Sequence, residues 1–179
     1  MRFGGIVLVT ALTLAACSSD PAPREPDPTR SASAAPTPTA TLPTMPPQAS
    51  EDSPEGAAAF VKHYVDVFNY AAATGDVDEL SRLSSPDCEG CQSYIDLYRD
   101  TYEAGGYFRG GDWTVDQMDI QVDLNETFAT TNVLVAATRY KKDTKAAEVT
   151  GPSDSSQVTF GVRRKAREKV ISQLALGGA

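Results

Sequence analysis

Past Trp113 the chain changes its hydrophobic period, and that change limits the fold more than any other feature of the sequence. Upstream, apolar residues recur at helical spacing. Phe60, Tyr64, Val67, Phe68 and Ala71 form one stripe, with Ser53 placed to cap the helix, Pro54 at its first position and Gly75 as its stop. A short second helix begins at Asp76, with Glu79 completing a capping box, Leu80 and Leu83 facing inward, and Ser84-Ser85-Pro86 ending it. A third starts near Cys91, carries Ile95, Tyr98 and Tyr102, and stops at Gly105-Gly106. The glycines and aromatics of "YFRGGDW" follow no period and read as a loop.

Downstream the alternation is that of strands. In "MDIQVDL", Met118, Ile120, Val122 and Leu124 point one way and the acidic and amide residues the other. "FATTNVLVAATRY" reads as a second strand, and "QVTFGVRRK" as a third with Val158, Phe160 and Val162 on one face. The closing "REKVISQLAL" suits helix by propensity and strand by alternation. Strand is the better fit, because a three-stranded meander would otherwise leave an open edge. Helices first and an antiparallel sheet afterwards make an α+β domain, with the helices packed on a curved sheet.

The amino terminus is of another kind. Met1-Arg2 supplies one positive charge, and Phe3 to Ala16 has no charge and no proline. That stretch is too short for a membrane helix, which needs about 20 apolar residues, and it has the layout of a secretory signal. It ends in Leu14-Ala15-Ala16-Cys17, which resembles a bacterial lipobox. The resemblance implies a diacylglyceryl thioether on Cys17 and cleavage just before it. Two acyl chains give durable anchoring where one does not. The expected division is a signal peptide over 1–16, lipidated Cys17 with a linker over 17–50, and a folded domain over 51–179. The linker, as in "SASAAPTPTATLPTMPPQAS", has almost no large apolar residue to offset its ordering entropy, so it should stay unfolded. Its prolines favour an extended spacer of about 3.1 Å per residue.

Charge is split along the domain. Residues 51–126 hold 17 acidic and 4 basic residues, net −13, and residues 127–179 hold 4 acidic and 9 basic, net +5. The basic runs "RYKKDTK" and "RRKAREK" could face phospholipid or an acidic polymer, but in so acidic a domain they should mainly answer neighbouring carboxylates. Nucleic acid is ruled out as a partner by compartment rather than by charge.

Few residues offer chemistry. Cys88 and Cys91 form a C-x-x-C at a helix start, but a redox pair wants a βαβ context and a zinc site about four ligands. A short structural disulfide in an oxidising compartment is what remains. His63, the only histidine, sits one position before the core stripe and reads as a surface or boundary residue. Asp66 is the partner it would need as a general base. No catalytic set, metal site or cofactor motif is expected. Tyr107, Phe108 and Trp113 lie on the expected glycine-rich loop, where rigid amphipathic rings suit a binding surface.

The order of helix, short helix, helix and curved sheet resembles the nuclear transport factor two-like cone of SnoaL-type enzymes and many bacterial binding domains. More narrowly, "MPPQA", "GAAAFVKHYVDVFNYA", "GDVDELSRLSSPDCEGC", "YEAGG" and "GDW" resemble an uncharacterised family of actinobacterial lipoproteins over roughly residues 43–113. The resemblance implies a fold and an envelope location, and no activity. The expectation is a non-enzymatic lipoprotein on the extracytoplasmic face of the cell membrane. It would bind membrane lipid through Cys17, and an envelope protein, a wall polymer or a small apolar ligand through its domain. The alternative is a SnoaL-like enzyme using a cryptic acid–base pair drawn from His63, Asp66 and the tyrosines.

Overall fold

The computed structural model describes residues 40–166 and 168–177. Cys17, the expected signal peptide and the expected linker as far as residue 39 lie outside the described residues. Order begins before the expected boundary at residue 51. Pro47–Ser50 form a single 3-10 turn in which Ala49 is buried, and Met45 packs against the core. The reason is a set of partners far along the chain: the Lys169 ammonium donates to the carbonyls of Ala49 and Glu51.

Helix α1 (Pro54–Thr74) has the expected ends. Ser53 Oγ accepts from the Gly56 amide at 3.0 Å, and Gly75 takes the left-handed conformation at φ 78°. It is the central helix, burying Val61 and Val65 as well as the stripe from Phe60 to Ala71. Helix α2 (Asp78–Leu83) starts two residues later than expected and has no capping box. Asp76 Oδ1 accepts from the Asp78 amide, while Glu79 is drawn instead to Arg82 at 2.6 Å. Helix α3 (Glu89–Glu103) begins before Cys91, with Cys88 as its cap.

The expected loop "YFRGGDW" is largely strand. β1 (Gly105–Gly110) pairs antiparallel with β4 (Thr138–Asp143), which pairs with the short β5 (Val149–Gly151). Glycine makes this possible at position 106, where a Cβ would stand 2.1 Å from the Lys141 carbonyl oxygen. A second sheet holds β2 (Trp113–Val122), β3 (Thr127–Val135), β6 (Asp154–Lys165) and β7 (Glu168–Leu176), antiparallel in the order β2-β3-β6-β7. The stretch expected as one strand, "FATTNVLVAATRY", thus serves both sheets. It breaks at Ala136-Ala137, and Gly111-Asp112 breaks beside it. The Gly111 amide donates to the Ala137 carbonyl and the Ala136 amide to that of Asp112.

One face of the larger sheet closes over α1. Ala129, Val133, Val158, Phe160 and Ile171 meet Phe60, Tyr64 and Phe68 in the core, with Tyr64 edge-on to Phe160. A bulge interrupts β2 between Val115 and Met118, and the buried Thr131 hydroxyl satisfies the Gln117 carbonyl there. Met118 and Ile120 pack against the core as expected, but Val122 and Leu124 do not. They are 67% and 95% exposed, at and beyond the end of β2. The closing segment is a strand, and its neighbour is the α2–α3 connection: the Ser85 amide donates to the Ile171 carbonyl at 2.7 Å.

Candidate functional site

The aromatic residues proposed as a loop surface are separated by the alternation of β1 and its continuation into β2. Trp113 is not exposed. It is 8% accessible and packed 4.5 Å from Phe68 and 5.6 Å from Tyr94, centroid to centroid. Its backbone is held by one side chain. The Asn69 amide group accepts from the Trp113 N–H and donates to the Trp113 carbonyl, both at 2.8 Å. Trp113 is therefore a core residue, and its expected role in binding is withdrawn. Phe108 is also turned inward, stacked on Tyr140 at 4.6 Å and edge-on to Tyr98. It is half-buried and serves as the joint between the small sheet and α3.

Tyr107 alone points the other way. Its hydroxyl donates to Glu148 Oε2 at 2.5 Å, and that hydrogen bond is the main cause of a phenol pKa raised above its ordinary value. The Arg109 guanidinium lies 4.5 Å from the centre of the Tyr107 ring, a cation–π contact. The register of β1, β4 and β5 then fixes what shares this face. Tyr107 stands opposite Lys141, Arg109 opposite Arg139, and Arg139 opposite Thr150. Two arginines directly opposite on one sheet face repel each other. The ion pairs among the described residues are Arg82 with Glu79 and Glu168, Arg99 with Asp96, and Arg164 with Asp52. Arg109 and Arg139 belong to none of them. Between them, over Gly110 and Gly151, lies a shallow concavity of about 390 Å³.

A larger concavity, about 550 Å³, opens at the amino end of α1 beside the β2–β3 turn and β6. Several of its polar groups are already engaged. Asp52 pairs with Arg164, Ser172 donates to Glu126, and Lys169 is spent on two carbonyls. In "RRKAREK", then, Arg164 meets a carboxylate, as expected, and Lys169 meets two carbonyls, while Arg163 and Lys165, like Arg139 of "RYKKDTK", enter no ion pair among the described residues. The cone itself is filled by Phe60, Tyr64, Phe68, Trp113 and Phe160, which occupy the space a small apolar ligand would need.

Cys88 and Cys91 form a disulfide at the start of α3, both 1% exposed, and the Cys88 sulfur accepts from the Cys91 amide. Thiol–disulfide exchange needs an approach to sulfur, so this bond is a structural staple. His63 is not at the surface. It is 2% exposed, because α1 is enclosed on more sides than one stripe implies, and its Nε2 has no hydrogen-bond partner among the described residues. Burial lowers its pKa, opposed by the charges of Glu79 and Asp66. No hydrogen bond joins His63 to Asp66. Among the described residues no group of three or more His, Cys, Asp or Glu side chains is placed to hold a metal ion. The sequence reading missed Arg109 and Arg139. The signal was there in "YFR" and "TRYK", where basic and aromatic residues alternate as they do on a strand.

Comparison with known proteins adds the following. The sequence matches a family of unknown function (DUF6318) over residues 29–169. None of the curated proteins matches it. The intermembrane-space region of the chloroplast protein ARC6 superposes with a TM-score of 0.56 at 10% identity, covering 72% of this chain and 99% of that one. An NTF2-like protein with a cystatin-like fold from Novosphingobium aromaticivorans gives 0.41 at 13% identity, covering 70% and 89%. A protein of unknown function with a cystatin-like fold from Nostoc punctiforme gives 0.43 at 12%, covering 67% and 90%. The likeness to the ARC6 region is one of fold: helices against a curved antiparallel sheet.

Proposed function

The chain belongs to DUF6318, a family of unknown function, and from that premise we propose that it is a lipid-anchored, extracytoplasmic binding domain. Cys17 is its anchor and the outer face of the β1-β4-β5 sheet is its contact surface. The observation that carries the contact surface is the pair Arg109–Arg139, held side by side by strand register and in no ion pair among the described residues. A domain does not gain stability from such a pair, so its use lies in what it meets. The anchor is supported by Leu14-Ala15-Ala16-Cys17 following an uncharged apolar stretch. The second reading, a cone-fold enzyme working through His63 and Asp66, has no specific observation in its favour.

Two measurements test this in the native host. A photoreactive residue at Thr150, exposed on the proposed face, should give an ultraviolet-dependent adduct in the envelope fraction, and one at exposed Asn132 should not. No adduct from Thr150, or equal adducts from both positions, overturns the contact surface. Cys17→Ser should move the protein from the membrane to the soluble fraction, and retention in the membrane would sink the anchor.

A further inference from the structure

The concavity between Arg109 and Arg139 has the chemistry of an oxyanion seat, and we propose that it binds a phosphoryl group. This deepens the contact surface just described and rests on it. Three features converge. Two guanidinium groups project from directly opposed positions on one sheet face, so their Cβ atoms start only about 5 Å apart. The hydroxyl-bearing Thr150 follows in register beside Arg139. The rest of the lining is small: Gly110, Ala137 and Gly151 carry nothing beyond a methyl group and Thr138, in register between the two glycines, only a short side chain, which leaves room for an anion to approach the sheet.

Arg109 is also pre-positioned. Its guanidinium rests on the Tyr107 ring, and the Tyr107 hydroxyl is in turn fastened to Glu148. The charged groups on the face are then Arg109, Arg139 and Lys141 against two carboxylates, Glu148, which is engaged with the tyrosine, and Asp143 at the far end of β4, which accepts from the Lys145 and Ala146 amides. Such a face has a net positive charge in a chain whose overall charge is −8.

The number of donors selects the ligand class. One guanidinium fork already satisfies both oxygens of a carboxylate. Two forks with a threonine hydroxyl beside them exceed that capacity and match the three or four oxygens of a phosphoryl group. The same group can reach the site as a lipid headgroup or as a free or polymer-borne phosphate, and the chemistry of the seat is common to these sources.

The test is a titration of the full chain with inorganic phosphate, read from the Nε–H signals of the arginine side chains by NMR. Saturable shifts confined to two arginines are expected. Arg109→Gln and Arg139→Gln should each weaken binding at least tenfold, and Lys142→Gln, on the opposite face of β4, should leave it unchanged. No saturation, or equal losses for all three variants, overturns the seat. A source arm uses the Cys17→Ser chain with phosphatidylglycerol vesicles and phosphatidylcholine controls. Phosphatidylglycerol that competes with phosphate assigns the seat to headgroups, and phosphate binding without such competition assigns it to a non-lipid phosphate. Phosphate binding without the Thr150 adduct would leave the seat standing and overturn the partner-contact reading alone.

Discussion

Among the side chains of α1, His63 combines near-complete burial with a ring nitrogen that has no hydrogen-bond partner among the described residues. Burial holds its pKa below the ordinary 6.5, with Arg82 adding to the effect and Glu79 and Asp66 opposing it. The unfolded chain then binds a proton at a pH where the native chain does not, so stability falls as pH drops through about 6.5 toward the lower native value. The thermal midpoint of the wild type should therefore fall between pH 7.5 and 5.5, and His63→Leu should remove most of that fall. An unchanged slope in the variant would show that other groups carry it. The same residue explains a limit of the sequence. A single stripe on α1 could be read from periodicity, but enclosure of the flanking positions depends on where α2 lies. Trp113 is similar: nothing local to "GDW" announces that Asn69, far upstream, will clamp its backbone.

At the scale of elements, what could be read was whatever is set by local period and caps. Ser53, Pro54 and Gly75 bound α1 as their chemistry requires, and the closing strand was resolved by the need to cover an edge. The hidden features are those set by partners. β1 is short, bounded by glycines and only half-covered, so its alternation is weak until β4 is beside it. The break at Ala136-Ala137 is invisible because strand-forming residues lie on both sides and only its hydrogen bonds to Gly111 and Asp112 define it. The Cys88–Cys91 staple gives an element-level prediction. It closes so short a loop that its stabilisation should lie near the low end of the usual range, about 2 kcal/mol. Replacing both cysteines by serine should speed amide exchange at Gln92 and Ile95 while the middle of α1 stays protected. Loss of protection throughout the domain would contradict that.

For the molecule as a whole, the folded unit begins earlier than composition implies. "MPPQAS" looks like the end of a linker, yet Ala49 is buried, Met45 packs against the core and the Ala49 carbonyl accepts from Lys169. Hydrogen bonds to charged groups contribute about 1.5–3 kcal/mol each where well formed. A chain starting at residue 51 should thus unfold at lower urea than one starting at residue 40, by roughly 2–4 kcal/mol in total. Equal midpoints would return the segment to the linker. The charge asymmetry of the sequence also resolves at this scale. The Arg164 and Lys169 end of the larger sheet is tied down by the entering chain, while Arg109 and Arg139 of the small sheet enter no ion pair among the described residues.

Helix α1 sets the distance between those two regions. Its 21 residues span about 32 Å at 1.5 Å each, with the entering chain clamped beside its first turn and β1 seated beside its last turns, near Asn69 and Ala72. The helix is in effect a rigid boom. Arg109 and Arg139 thus stand about a helix length from the place where the described chain enters the fold. What is fastened at one end of the boom and what is met at the other are kept that far apart.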